Sequence, residues 1–287
     1  MNHANHTNHT NHTAQSLSIY GGARHRRITV RDIQKAKSVE RWPMLTAYEQ
    51  FTAEIFDECG IPLLLVGDSA ASNFLGYENT IAVTVDELVP LARAVVRSTS
   101  RAMVIADLPF GSYESSPEQA LATAIRFMKE SGVHGVKLEG GERVAPQIRA
   151  LVSSGIPVMA HIGLTPQSLH QLGGYRVQGR GDDGAILKAS AHAVQEAGAF
   201  ALVLELIPAT LATEITQELT IPTIGIGAGN QCDAQVLVWS DLMGLTANPP
   251  KLAKAYRNLR KEIHDGVNEW AADVASGTFP GQEQSFQ

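Results

Sequence analysis

The chain has 287 residues, room for two average domains or for one α/β barrel, and no Pro/Ser-rich linker or charge run divides it. A formal net charge of −6 leaves no basic excess for a nucleic acid or an anionic membrane surface. Two cysteines, Cys59 and Cys232, are too few for a disulfide framework and suit a reducing cytosol.

No apolar run nears the ~20 residues of a membrane span, and no signal-peptide core follows the start. A cytoplasmic, single-domain protein is the expectation. Residues 1–13 read MNHANHTNHTNHT, a low-complexity tract with His at every third position. That period does not hold histidines on one helix face, so residues 1–20 are read as a disordered tail and 21–287 as the folded domain.

Ile28 to Lys37 reads as a short helix capping the floor of a barrel. Met44 to Tyr48 is a first strand, and Glu49 to Glu58 a helix stopped by Gly60. Ile61-Pro-Leu-Leu-Leu-Val-Gly-Asp-Ser69 follows, a continuous apolar run of the kind buried on both faces in a parallel sheet, ending in an acid and a hydroxyl. Asp86 to Arg97 has helical spacing, and Met103-Val-Ile-Ala-Asp107 is a third strand. Pro117 opens a helix to Glu130. Val133 to Glu139 is the fourth strand, and Gly140-Gly141 leads into a helix ending at Gly155. Pro157-Val-Met-Ala-His161 is the fifth strand, followed by a long Gly-rich loop from Gly163 to Gly184, the kind of connection that carries function.

Ala185 to Ala197 is helical, and Ala201-Leu-Val-Leu-Glu205 is the sixth strand. Thr210 to Leu219 is a helix, and Ile221 to Gly227 a seventh strand. Ala234 to Trp239 reads as a short helix, Asp241 to Leu245 as a marginal eighth strand, and Lys251 to Ser276 as an amphipathic closing helix. Eight strand–helix alternations argue a (β/α)₈ TIM barrel. An open doubly wound sheet would want a Gly-x-Gly-x-x-Gly turn after the first strand, and none is there. The turn Gly225-Ile-Gly-Ala-Gly229 is either a phosphate-holding turn or a tight backbone corner.

Five strands each deliver an ionisable residue near the C-terminal end, where barrel active sites sit. Asp68, Asp107 and Glu139 would repel one another at one mouth unless a cation neutralises them. Oxygen ligands alone suit Mg²⁺, while zinc would want a His pair or a Cys cluster. Lys137 lies two residues before Glu139, on the same face of an extended strand. It is a substrate anchor, a Schiff-base lysine or an internal ion pair. His161 is either a satisfied core histidine or a donor to a substrate oxygen. Glu205 follows four apolar residues and is either a general base whose carboxyl burial would raise or a surface-facing strand end.

The motifs Val66-Gly-Asp-Ser69, Ala106-Asp-Leu-Pro-Phe110, Lys137-Leu-Glu-Gly-Gly141, His161 to Ser168, Gly173 to Asp182 and Gly225 to Gly229 resemble the 3-methyl-2-oxobutanoate hydroxymethyltransferase family. The resemblance runs over about residues 28–286, although Glu49 follows Tyr48 where the family commonly has Asp. It implies a barrel of the phosphoenolpyruvate/pyruvate type, Mg²⁺, and transfer of a one-carbon unit from 5,10-methylenetetrahydrofolate to the oxoacid through a Mg-stabilised enolate, giving ketopantoate. Asp68 and Asp107 would ligate Mg²⁺ with Glu139 at or near the metal. Asp68, Ser69, Asp107, Lys137 and His161 would lie on the substrate side, and Glu205 would take the proton. Two Asp oxygens, two oxoacid oxygens and two waters would complete an octahedron. A homo-oligomer, a decamer, is also implied.

Two rivals remain. A Mg²⁺-dependent 2-oxoacid carbon–carbon lyase on the same barrel would place a catalytic Cys on a mouth loop, and residues 163–184 contain none. A non-catalytic metabolite-binding barrel would need no separate base.

Overall fold

The computed structural model describes residues 18–21 and 26–286. Eight parallel strands close into one barrel in sequence order: β1 (Trp42–Thr46), β2 (Leu63–Val66), β3 (Met103–Asp107), β4 (Gly135–Glu139), β5 (Val158–Gly163), β6 (Ala201–Glu205), β7 (Thr223–Ile226) and β8 (Ala234–Leu237). The seam is closed by β8 beside β1, with Trp42 opposite Ala234 and Met44 opposite Val236.

Alternation along each strand divides the apolar residues into two cores. Met44, Leu63, Leu65, Met103, Ile105, Met159, Val203 and Ile224 fill the barrel interior. Leu64, Val104, Val136, Leu138, Ala160, Leu202 and Leu204 face the surrounding helices. The expected floor cap is present. Helix Val30–Lys35 follows Ile28, and both Ile28 and Ile33 are buried under Trp42 and Met103. Ile19 joins the same cluster at 2% exposure, although residues 1–20 are the expected tail. The rest of that tail, residues 1–17, lies outside the described residues. Among the described residues no helix is long and apolar enough to cross a membrane.

Three expectations are corrected. The eighth strand is Ala234–Leu237, while Trp239–Leu242 is a short helix, so the order within 234–245 is reversed. Gln235 faces outward between buried Ala234 and Val236, the period of an edge-on barrel strand that helix-forming residue types disguise. Secondly, β7 passes to β8 with no intervening helix, so strict alternation fails at the seventh unit. The Gly225–Gly229 stretch is the corner that makes this short crossover. A Cβ on Gly227 would come 2.8 Å from Leu206 Cδ2, and one on Gly229 2.5 Å from the Ala209 Cβ. Thirdly, the last helix begins at Leu259 and buries no residue against the barrel. Its apolar stripe of Ile263, Val267, Trp270 and Val274 is 47–58% exposed in the single chain.

His134, in the turn before β4, docks that strand on β3. The Val104 N–H donates to its Nδ1 at 2.9 Å, and the His134 N–H donates to the Val104 carbonyl at 2.8 Å. Only an unprotonated Nδ1 can accept. Burial first, then the Arg27 charge, push the imidazole down from 6.5 to about 4. The unfolded chain therefore binds the proton more tightly, and the stability this residue contributes is complete above pH 6.5 and lost as pH falls towards 4. Urea unfolding of the wild type and of His134→Asn should show a shallower pH slope over this window in the variant. Equal slopes would mean that His134 does not titrate as described.

Candidate active site

Strand alternation places the charged residues in one inward-facing tier above the apolar interior. Asp107 lies two residues above Ile105, His161 two above Met159, and Glu205 two above Val203, while Lys137 and Glu139 alternate inward on β4. Register sets them side by side. Asp107 is opposite Lys137, and Glu139 opposite His161. Asp68 and Ser69 arrive just beyond β2. A Cβ on the preceding Gly67 would come 2.8 Å from Ser69 Oγ and 3.3 Å from Asp107 Oδ2. Glycine lets the chain pass close over Asp107, whose Oδ2 accepts the Asp68 N–H at 2.9 Å.

All seven candidate residues, Asp68, Ser69, Asp107, Lys137, Glu139, His161 and Glu205, line one cavity of about 400 Å³. Lys137 Nζ is 2.9 Å from Asp107 Oδ1, 3.7 Å from Glu139 Oε1 and 3.2 Å from His161 Nδ1. His161 then reaches Glu139 Oε1 through Nδ1 at 3.4 Å and Glu205 Oε2 through Nε2 at 3.3 Å. A continuous charge chain thus runs from Asp107 to Glu205.

Protonation follows from the balance of burial and neighbours. Burial would lower the Lys137 ammonium, but Asp107, Glu139 and Asp68 outweigh it and hold the lysine above its ordinary range. Burial and the Lys137 charge depress His161, yet the carboxylates at its two nitrogens raise it to about 9. Burial acts against ionised Glu139, but His161 and Lys137 overcome it and keep its carboxyl low. Asp68 goes the other way. Burial, then Asp107 and Glu139, raise its carboxyl well above the usual range. Burial likewise raises Asp107 despite Lys137. The mouth holds more negative charge than its own cations balance.

This tier of residues sits in a chain whose relatives are known. The family model described as ketopantoate hydroxymethyltransferase matches residues 27–282. The chain belongs to this family. An Acidothermus cellulolyticus protein named 3-methyl-2-oxobutanoate hydroxymethyltransferase is 60% identical over 91% of this chain and 97% of its own length. A Thermobifida fusca protein of the same name is 56% identical over 94% of this chain and 97% of its own. This ketopantoate hydroxymethyltransferase family member is thus an enzyme, a transferase. The same barrel fold recurs in solved structures at low sequence identity. Solved phosphonopyruvate hydrolase in complex with oxalate and Mg²⁺ aligns at TM-score 0.59 and 12% identity over 89% of this chain and 92% of that one. 2,3-Dimethylmalate lyase, described as a PEP mutase/isocitrate lyase superfamily member, aligns at 0.56 and 17% over 90% and 91%.

In this hydroxymethyltransferase, further residues complete the mouth that strand ends alone do not point to. Gln167, 4% exposed in the loop after β5, donates from Nε2 to Asp68 Oδ2 at 2.9 Å and to the Leu108 carbonyl at 3.0 Å. Its backbone N–H donates to Glu139 Oε2 at 3.1 Å. Gln167 Oε1 accepts from the Tyr113 hydroxyl at 2.6 Å. Tyr48 shares a 2.8 Å hydrogen bond with Ser69 Oγ. Gln167 lies inside one of the motifs that carry the family resemblance, which is the only signal for it in the sequence. Gln167→Ala removes the side-chain donors to Asp68 and Leu108 but keeps the backbone bond to Glu139. It should lower stability by about 1–3 kcal/mol, the loss expected when buried acceptors go unpaired. Unchanged urea midpoints would show that the amide does not hold these loops.

Proposed function

We propose that the chain transfers a hydroxymethyl unit from 5,10-methylenetetrahydrofolate to 3-methyl-2-oxobutanoate, giving 2-dehydropantoate (ketopantoate) for pantothenate synthesis. The names of the relatives support the acceptor. The observation that carries the reading is one cavity holding a buried cation, a cluster of acids, and a distinct carboxylate at the edge of an apolar wall.

The donor set fits Mg²⁺. Asp107 Oδ1 and Glu139 Oε1 are buried without a partner in hydrogen-bond geometry, although Lys137 Nζ is at ion-pair distance from both. With the raised Asp68 carboxyl, these describe a site short of positive charge. Among the described residues no three His, Cys, Asp or Glu side chains close around an ion by themselves. That suits a hard cation held by one or two carboxylates and completed by substrate oxygens and water. Asp68 and Asp107 would hold it, with Glu139 alongside. Bound Mg²⁺ would supply Lewis-acid polarisation of the oxoacid's oxygens.

The chain's own residues do the rest. Lys137 and Ser69 bind the acid end of the substrate. The branched end faces Val203, Leu206 and Ile226, which line the cavity beside Glu205. Glu205, steadied by His161 Nε2 at 3.3 Å, removes the C3 proton. Water takes the methylene carbon from the two folate nitrogens, which keep the water's two protons, and the one-carbon unit is released as formaldehyde. The carbon nucleophile forms its bond to that carbon, and the new oxyanion takes the proton held by Glu205. Cys59 is exposed and Cys232 is buried beside β8, so neither lines the mouth as the lyase rival requires.

The step assigned to Glu205 is separable from carbon transfer. Without folate, the wild type with Mg²⁺ should exchange the C3 proton of 3-methyl-2-oxobutanoate for deuterium, followed by NMR. Glu205→Gln keeps the shape and should slow exchange by ~10²–10⁴. Wild-type exchange in that variant would assign the base elsewhere.

Metal holding has its own readout. Asp107→Asn should weaken Mn²⁺ binding, titrated by electron paramagnetic resonance without substrates, by about tenfold or more. Undiminished Mn²⁺ affinity would remove Asp107 from the ligand set.

A further inference from the structure

The chemistry just described leaves one wall of the cavity unused. Asp241, in the short helix after β8, is 5% exposed and lines the same cavity as the acidic tier. Its Oδ1 is buried with no hydrogen-bond partner, and no cationic side chain among the described residues pairs with it. Thr80, 4% exposed, also lines the cavity with an unpartnered hydroxyl. Leu237, Val238 and Leu252 line the same cavity. A buried carboxyl and hydroxyl without partners are destabilising in the empty protein and become favourable when a ligand brings the missing donors.

The ligand's chemistry can be read from this wall. The oxoacid is anionic and has no N–H groups, so a second carboxyl would repel rather than hold it. The metal reading above draws on acids clustered at the strand ends, whereas the helix Trp239–Leu242 offers a single acid. What a lone buried carboxyl matches is a pair of adjacent N–H donors, which its two oxygens can accept side by side. Flanking aliphatic side chains suit a flat ring. The cavity, at about 400 Å³, is in the range that holds a ligand much larger than a small branched oxoacid.

We propose that Asp241 is the anchor for the pterin ring of the one-carbon donor, accepting from its 2-amino group and its N3–H, with the Thr80 hydroxyl completing the polar contacts. This rests on the folate-dependent reading above. The two substrates then enter one mouth from opposite chemical sides. The oxoacid lies on the charged tier of β2 to β6, and the donor on Leu237, Val238 and Leu252 of β8 and the chain after it, with Asp241 lining the same cavity.

The test uses the full-length enzyme and isothermal titration with 6-methyltetrahydropterin, against the analogue in which oxygen replaces the 2-amino group. Wild type should prefer the amino compound by about tenfold or more. Asp241→Asn should abolish that preference and weaken tetrahydrofolate binding by about thirtyfold or more, with the Kd for 3-methyl-2-oxobutanoate within about threefold of wild type. Absence of the preference in wild type, which needs no variant to fold, overturns the assignment. So does undiminished tetrahydrofolate affinity in Asp241→Asn. Should wild type neither bind tetrahydrofolate nor make ketopantoate, the folate reading itself falls. Normal wild-type turnover with an unaltered Asp241→Asn would sink the Asp241 anchor alone.

Discussion

A lysine ammonium that is 3% exposed must find counter-charge within contact distance or give up its proton, and Lys137 finds it in Asp107 at 2.9 Å and Glu139 at 3.7 Å. At an effective dielectric near 20 such contacts contribute about 4 kcal/mol each, of the same order as the several kcal/mol that desolvating each ion costs. One lysine therefore roughly balances one carboxylate, and it has two in direct reach, with Asp68 and Glu205 lining the same cavity. His161 relieves part of the excess by carrying a proton between Glu139 and Glu205. Burial, and then the remaining negative charge of Asp107 and Glu139, lift the Asp68 carboxyl out of its usual range. The site is built to be finished by something positive.

That arrangement depends on backbone placed elsewhere. The apolar tier of Leu65, Ile105, Met159 and Val203 fills the barrel beneath the charges and keeps them at one height. Because adjacent strands pair in register, Asp107 beside Lys137 and Glu139 beside His161 need no long side-chain reach. The strands β7 and β8 contribute no charge to this tier. Their short helix-free crossover and the turn after β8 shape a wall of Ile226, Leu237 and Leu252 instead.

Much of this was legible in the sequence, for a physical reason. Strands buried on both faces leave unbroken apolar runs, and an acid or base at the end of each run marks the mouth. All five such ends, with Ser69, converge as their spacing implied. The eighth strand was hidden because outward Gln235 broke its run and Ala, Gln and Leu also form helices. The closing helix starts later than its residue types suggest, since Lys251 to Arg257 carries helix-forming residues that the chain uses in turns. Gln167 and Asp241 could not be found by periodicity at all. Gln167 meets Asp68 across 99 positions of sequence, and Asp241 is defined by what fails to pair with it.

Gln167 has a bearing on how such a barrel can change over time. Loops of (β/α)₈ proteins are commonly interchangeable modules, because strands hold the chemistry and loops only decorate it. Here a loop residue reaches back to grip Asp68 through its side chain and Glu139 through its backbone, while Tyr113 from the loop after β3 grips it in turn. The third and fifth loops are consequently one unit with the strand ends. A recombinant barrel that exchanged either loop alone would inherit acids without their braces, so innovation at this mouth has to arrive through paired loop changes or through the freer side of β7 and β8.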